Sequence, residues 1–413
     1  MTTPTIGQQQ QLEVTRMAHG GEGIAVLDGR VIFVHGAYPG DTITAEITEV
    51  KKNFARAVLV EVLSPSPLRS EQVCPAAARG AGCCDFGDLN PAEELGLKYG
   101  ILKDQLSRLA KVGGIPEAEL INLPPERGWR TRVRLGVDTQ GRAGFRALKS
   151  NDLITEVACT QAAPGLLDGI MGEGARTFTP GAEIIVAIDS EGVRHIVETR
   201  RAARGRRSEK VTAVLEGTGE VTQNADDHEF RFPAEAFWQA HRSAPGAYTA
   251  LVRNWLAEET LSETAQPVAW DLYGGVGLFV PALADSLGEG AQIHSVEMSK
   301  AATRAGQATL DGYDVVFHNA RVEQHAVKLP KPQVVLLDPP RSGAGAKVVE
   351  SLATAAPELV VHVGCDPATF ARDIAAWAEH GYQVTRMTVF NAFPGTHHFE
   401  VLALLRPAPE SKS

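Results

Sequence analysis

Three residues towards the C-terminus have side chains and settings suited to covalent chemistry. Cys365 stands in VHVGCDPATFARD, after an apolar run and Gly364, and ahead of a segment from Thr369 to Glu379 that reads as a helix. A free cysteine is usually a small buried hydrophobe. A polar loop at a helix start instead favours the thiolate, which makes Cys365 a candidate nucleophile. Asp338 closes another apolar run in LDPPRSG, where Pro339 and Pro340 stop the strand and stiffen the loop. Glu400 follows NAFPGTHHF between the last two apolar runs. Its neighbours His397 and His398 read as polar hairpin residues, since two histidines alone make a poor metal site.

A second group of residues suits a nucleoside. DLYGGVGLF, Asp271 to Phe279, puts Gly274, Gly275 and Gly277 at a strand-to-helix turn where backbone must approach a ligand closely. The next apolar run ends in Glu297, 20 residues past Gly277, where an acid in such a fold meets ribose hydroxyls. The turn is not the full G-x-G-x-x-G of dinucleotide binders, which puts S-adenosylmethionine ahead of NAD.

A cysteine and a glutamate beside an adenosine pocket suit one reaction closely. Carbon 5 of uracil is a poor nucleophile until a thiolate adds to carbon 6 and turns the ring into an enolate. Carbon 5 can then attack a sulfonium methyl, and a base must finally take the carbon 5 proton so that the thiol can leave. Cys365 suits the first role and Glu400 the last, with Asp338 orienting and polarising the ring. Cytosine C5 methylation also uses a thiolate, but predicts a Pro-Cys nucleophile or a second catalytic cysteine, and neither stands near Cys365. A third reading is an RNA-binding or RNA-folding protein in which methylation is secondary.

These residues need a sheet to bring them together. In the last third of the chain VAWDLYG, QIHSVEM, DVVFHN, QVVLLDPP and ELVVHVGC alternate with helix-length segments, which predicts an α/β fold with a doubly wound parallel sheet. YQVTRMTVF and FEVLALLR lie close enough to form an antiparallel hairpin. Parallel strands share one carboxyl edge, and ligands bind there. Asp338 and Cys365 fall on that edge, and the seventh strand, running back, starts from it at Glu400.

Upstream, Gly20 to Val62 alternates short apolar runs with glycine turns, the pattern of a small antiparallel barrel, and SPSPLR from Ser64 reads as a linker. From Cys74 to about Phe232 the chain is mixed: Asn90 can cap a helix beginning at Pro91, while TRVRLGVD and AEIIVAID read as strands. The expected division is a barrel over 1–65, a central α+β unit over 66–231 and the doubly wound unit over 232–413. The net charge of -10 argues against coating nucleic acid through a global field, so RNA contact must be local. Two segments could supply it: Arg127 to Lys149, and the run of Arg200, Arg201, Arg204, Arg206, Arg207 and Lys210. By themselves both also fit solvated faces. No apolar run is long enough to cross a bilayer and no secretory leader is evident, so a soluble cytoplasmic protein is expected.

With these motifs in view, the chain resembles the RNA 5-methyluridine methyltransferases that carry an N-terminal TRAM domain. DPPRSG followed by VVHVGCDP, together with NAFPGTHHFE, carries the likeness, and GGEGIAVLDGRVIFVHGAYPGD looks like the OB-like TRAM barrel. The resemblance implies Cys365 as nucleophile, Glu400 as base, and Gln239 of FWQAH, Tyr273, Glu297 and Asp338 as contacts to cofactor and base. It implies S-adenosylmethionine as methyl donor and ribosomal or transfer RNA as partner, and we expect a monomer. Two positions depart from the family: His362 where a tyrosine is frequent, and Leu278 where a polar asparagine is common.

The resemblance also bears on the remaining cysteines. Relatives hold a four-iron cluster with C-x5-C-x2-C and a distant fourth cysteine. Here CPAAARGAGCCDF gives Cys74, Cys83 and Cys84, with Gly80 at the second ligand position, and Cys159 matches the distant one. A structural 4Fe-4S cluster on these four thiols is the expectation, ahead of zinc or no metal, although adjacent Cys83 and Cys84 would strain it.

Overall fold

A computed structural model describes residues 4–201 and 210–409. The N-terminal strands β1 (Gln9–Met17), β2 (Glu22–Leu27), β3 (Arg30–His35), β4 (Thr42–Val50) and β5 (Phe54–Ser64) close into a barrel in the order β1-β2-β3-β5-β4. Alternate residues such as Ile32, Val34, Ile43, Ala45 and Ile47 fill it completely, as period-two strands must when curled round a core. Asp28 and Gly29, both at positive φ, form the two-residue β2–β3 turn. The barrel is not wholly antiparallel as expected: β3 and β5 pair in parallel, because β4 is threaded to the other side of β5. The SPSPLR segment is no free tether. Arg69 donates to both oxygens of buried Asp41 at 2.9 and 2.8 Å and to Gly36 O at 2.7 Å, tying the segment to the barrel wall.

The middle of the chain supplies β6 (Glu119–Asn122), β7 (Arg132–Val137), β8 (Ala143–Arg146), β9 (Leu153–Ile154), β10 (Glu183–Ile188), β11 (Arg194–Arg201), β12 (Lys210–Glu216), β13 (Glu220–Ala225) and β14 (His228–Pro233). Six of these form an antiparallel sheet, β12-β11-β10-β7-β8-β9, with TRVRLGVD and AEIIVAID as adjacent strands β7 and β10. Asn90 caps the helix Pro91–Gln105 through its Oδ1, which accepts from Ala92 N at 3.2 Å.

The C-terminal strands are β15 (Val268–Leu272), β16 (Gln292–Glu297), β17 (Val315–Asn319), β18 (Val334–Leu337), β19 (Leu359–Gly364), β20 (Tyr382–Asn391) and β21 (Glu400–Pro407). The sheet order is β17-β16-β15-β18-β19-β21-β20-β6, with β21 alone antiparallel to its neighbours. β15, β18 and β19 are buried along their whole length, as central strands covered by helices on both faces must be. Helices 244–257, 280–287 and 300–309 cover one face; helices 346–354, 367–379 and 91–105 cover the other. Thus a helix and a strand from the middle of the chain complete the C-terminal sheet, β6 pairing in parallel with β20.

Candidate active site

The carboxyl edge of this sheet gathers the chemistry. In the antiparallel pair β19–β21, Gly364 faces Val401. Cys365 directly follows this last pair and Glu400 directly precedes it, and the Glu400 and Asp338 carboxyls act electrostatically on the Cys365 thiol. In the parallel pair β18–β19, Leu337 faces His362, which brings Asp338 to the same edge one strand away. Cys365 is half-buried and Glu400 buried.

The site is dry and acidic, and its protonation follows. Burial, followed by the charge of Asp338, holds the Glu400 carboxyl well above the usual carboxylate range, with Arg341 opposing; its Oε2 has no hydrogen-bond partner. Burial and the nearby Asp271 push Asp338 up to about 7. Cys365 corrects the expectation that a helix start would favour its thiolate. Burial, then Glu400 and Asp338, push the thiol up to about 12, because desolvation and two carboxyls outweigh the loop and the single cation Arg341. The free protein therefore keeps a thiol.

Beside these groups lies a pocket lined by Gln239, Tyr273, Gly274, Gly275, Leu278 and Asp338 among others. The glycine turn shapes it. A Cβ on Gly274 would lie 2.1 Å from Asp271 Oδ2, and Gly275 and Gly277 take positive φ, as does Tyr273 at 61°, a conformation uncommon for a side-chain-bearing residue. Glu297 reaches the turn from β16, accepting from Gly275 N at 3.2 Å and Ser299 N at 2.5 Å. Leu278 adds apolar wall to the cavity. His362 lies buried behind the site, accepting from Trp377 Nε1 at 3.1 Å, a packing role rather than a contact to ligand.

Two residues of the site escaped sequence reading. Asp271 is fully buried, accepts from Ser295 Oγ at 2.9 Å, leaves Oδ1 without a partner and is pushed up to about 7 by burial; the one acid inside the apolar run VAWDL was its signal. Tyr248, on helix 244–257, is fully buried with an unpartnered hydroxyl facing the charges of Glu400, Asp338 and Cys365. No pattern in its helix marked it.

The loop before Glu400 is gripped from outside the sheet. Lys98, fully buried on helix 91–105, donates to Glu94 at 2.5 Å, to Asn391 Oδ1 at 2.6 Å and to Phe393 O at 3.2 Å. Glu94 accepts from Gly395 N at 3.0 Å. Removing one partner of such a pair strands a buried charge. Lys98→Met is therefore expected to cost about 3–5 kcal/mol of stability, read from urea denaturation midpoints.

The barrel reaches the site as well. His19 pairs with Asp366, the residue after Cys365, at 2.8 Å, and Asp366 also caps helix 367–379 through Ala368 N and Thr369 N. A cleft of about 560 Å³ opens between barrel, central sheet and the loops at the sheet edge, lined by Arg56, Arg130, Arg134, Lys149 and Arg341 with His19, His35, His397 and His398 and the acids Glu22 and Asp85. Of the first arginine segment, Arg130, Arg134 and Lys149 thus face a cavity. Arg132 instead donates to Ala234 O and Ala236 O, and Arg142 pairs with Asp138. In the second, Arg204, Arg206 and Arg207 lie outside the described residues, and Arg200 is exposed on β11.

The remaining four cysteines also meet. The sulfurs of Cys74, Cys83, Cys84 and Cys159 all lie within 4.8 Å of one another.

An open sheet of this order, with a glycine turn after its first strand and an acid ending its second, defines an S-adenosylmethionine-dependent methyltransferase. Comparison with known proteins narrows the class. The TRAM domain family matches residues 4–60, and the tRNA (Uracil-5-)-methyltransferase family matches residues 311–407. An uncharacterized RNA methyltransferase of Corynebacterium efficiens is 56% identical over 402 residues, spanning 97% of this chain and 95% of that protein. The 23S rRNA (uracil(1939)-C(5))-methyltransferase RlmD of Pseudomonas putida is 31% identical over 442 residues, spanning 97% of this chain and 94% of that one. The crystal structure of Pyrococcus abyssi tRNA (uracil-54, C5)-methyltransferase with S-adenosyl-L-homocysteine shares the fold, with TM-score 0.70 at 21% identity over 95% of this chain and 99% of that one. The chain belongs to the TRAM-containing RNA (uracil-5-)-methyltransferase family. Among the described residues no helix is long and apolar enough to cross a membrane.

Proposed function

We propose that this RNA uracil-C5 methyltransferase acts on a uridine of ribosomal RNA and works through a covalent bond between Cys365 and the pyrimidine. The observation that supports the mechanism is that β19 and β21 end their pairing at Gly364 and Val401, leaving the next residues Cys365 and Glu400, the latter buried with an unpartnered oxygen, at one sheet edge within electrostatic reach of each other and of Asp338. The ribosomal substrate is supported by end-to-end likeness to 23S rRNA methyltransferases.

Gln239, Tyr273, the glycine turn and Glu297 would hold S-adenosylmethionine, which when bound would supply an electrophilic methyl group and leave as the neutral thioether. The chain's own residues do the rest. Cys365 gives up its proton to solvent and its sulfur bonds to carbon 6 of the uracil as the 5,6 double bond opens, so that electron density moves to carbon 5 and the exocyclic oxygen on carbon 4. Asp338, held near neutrality, orients the ring edge by hydrogen bonding. Once carbon 5 carries the methyl group, Glu400 in its ionised form takes the proton from that carbon, the 5,6 double bond re-forms, and the carbon–sulfur bond breaks to release the cysteine as thiolate. The basic cleft beside Arg341 holds RNA phosphates while the target base turns into the site. A monomer acting in the cytoplasm is part of this proposal.

The substrate is tested with ribosomal and transfer RNA transcripts and labelled methyl donor, followed by nucleoside digestion. 5-Methyluridine from the ribosomal transcript is expected, and methylation confined to transfer RNA would overturn the assignment. The high thiol pKa adds a pH prediction. Only the thiolate adds to the ring, and kcat/KM reports the free enzyme. Its logarithm is expected to climb by about one per pH unit above about pH 8, beyond the titration of Asp338 at about 7, with no plateau short of about 10, as checked by single-turnover assays at constant ionic strength.

A further inference from the structure

The expected four-iron cluster does not fit the thiols that were to carry it. Three sulfur pairs are resolved: Cys84 and Cys159 at 3.3 Å, Cys74 and Cys159 at 3.6 Å, and Cys74 and Cys83 at 3.8 Å. Four thiolates at about 2.3 Å from one tetrahedral zinc lie about 3.8 Å apart. In a four-iron cluster each thiolate instead binds its own iron at a separate corner of a cube, which spreads the four sulfurs well beyond the 4.8 Å that contains them all here. The surroundings agree. Cys74, Cys84 and Cys159 are buried with Ala76 and Ala81, and Phe145, Ile154 and Val157 close the shell. At Gly80, where the second cluster ligand was expected, a Cβ would face open space rather than the sulfurs. Cys84 provides the missing fourth thiol in its place.

We propose that Cys74, Cys83, Cys84 and Cys159 bind a single zinc ion, and that this ion pins the catalytic hairpin to the central domain. Four thiolates on a divalent ion carry two net negative charges, and the Arg130 guanidinium lies within electrostatic reach of Cys159, Cys84 and Cys83 to offset one. Ala77 N donates to Cys74 Sγ at 3.5 Å. The residues that grip the loop ahead of Glu400 follow directly from these ligands. Gln161 Nε2 bridges Cys83 O at 2.9 Å and Pro394 O at 3.3 Å, Phe86 N donates to Gly395 O at 3.0 Å, and Asp85 holds the ring and backbone N–H of His397. One ion therefore fixes a turn whose next two residues hold the hairpin.

The test uses full-length protein purified without oxygen, so that a labile cluster would survive, and measures zinc, iron and acid-labile sulfide per chain alongside the visible spectrum. One zinc per chain is expected, with no sulfide and no visible charge-transfer band. Exchange for cobalt should give the intense d–d bands of a tetrahedral tetrathiolate site in the unaltered protein, a readout that does not depend on a variant folding. Cys159→Ser should lower bound zinc by roughly tenfold or more. Stripping the ion should lower Tm and restoring zinc should raise it again. Iron with sulfide, iron alone, or no metal in the anaerobic protein each overturns the proposal.

Discussion

Cys365→Ala is expected to stop methylation. Loss of a covalent nucleophile is expected to reduce turnover by on the order of 10⁴-fold or more. The fold should survive, because the sulfur is only half-buried and trimming it removes little packing. Binding should survive too. The pocket proposed for the cofactor is lined by Gln239, Tyr273, Gly275 and Asp338 without Cys365, and the cleft proposed for RNA is lined by Arg56, Arg130, Arg134, Lys149 and Arg341 and not by Cys365. Single-turnover assays with labelled methyl donor, paired with filter binding of RNA, separate these quantities. Residual methylation within a few-fold of the unaltered enzyme would remove the covalent step.

Glu400→Gln gives a different loss. The amide keeps the shape of the side chain but cannot accept the carbon 5 proton, so methyl transfer proceeds and release fails. Multiple turnover is expected to fall by about 10²–10⁴-fold, the usual worth of a positioned general base, while a protein–RNA adduct builds up to a stoichiometry near one and persists on a denaturing gel. Stability should hold or rise. The native carboxyl is buried, kept above the usual carboxylate range, and leaves Oε2 unpartnered, so a neutral isostere loses no ion pair. Asp338→Asn serves as the contrast: it slows entry into the adduct without trapping it.

The placement of Cys365, Asp338 and Glu400 at one sheet edge was legible in the sequence because each follows or begins an apolar run, and strand direction alone puts such positions there. The acid at Glu297 was legible for the same reason. Residues buried by long-range packing were not. Tyr248 meets the site only because helix 244–257 lies across β20, where it contacts Phe390 with ring centroids 5.0 Å apart. Lys98 sits 293 residues from Asn391, which it bonds, and nothing local in its helix requires a charge inside. Strand β6 is four mostly exposed residues without alternation, so its place at the edge of the catalytic sheet has no local signal. The thiol's protonation also misled: motif spacing reports neighbours along the chain, whereas its pKa is set by burial and by carboxyls on two other strands.

Covalent chemistry at Cys365 is tested most directly with RNA carrying 5-fluorouridine, incubated with the protein and S-adenosylmethionine. Fluorine cannot be abstracted as a proton, so the methylated ring should remain bonded to sulfur. A one-to-one protein–RNA conjugate is predicted, resistant to denaturant, with mass spectrometry placing a methylated fluoropyrimidine on Cys365 and nucleotide mapping naming the uridine. Methyl-dependent conjugation at any other residue, or full methylation of unsubstituted RNA with no conjugate from the fluorinated one, would contradict it.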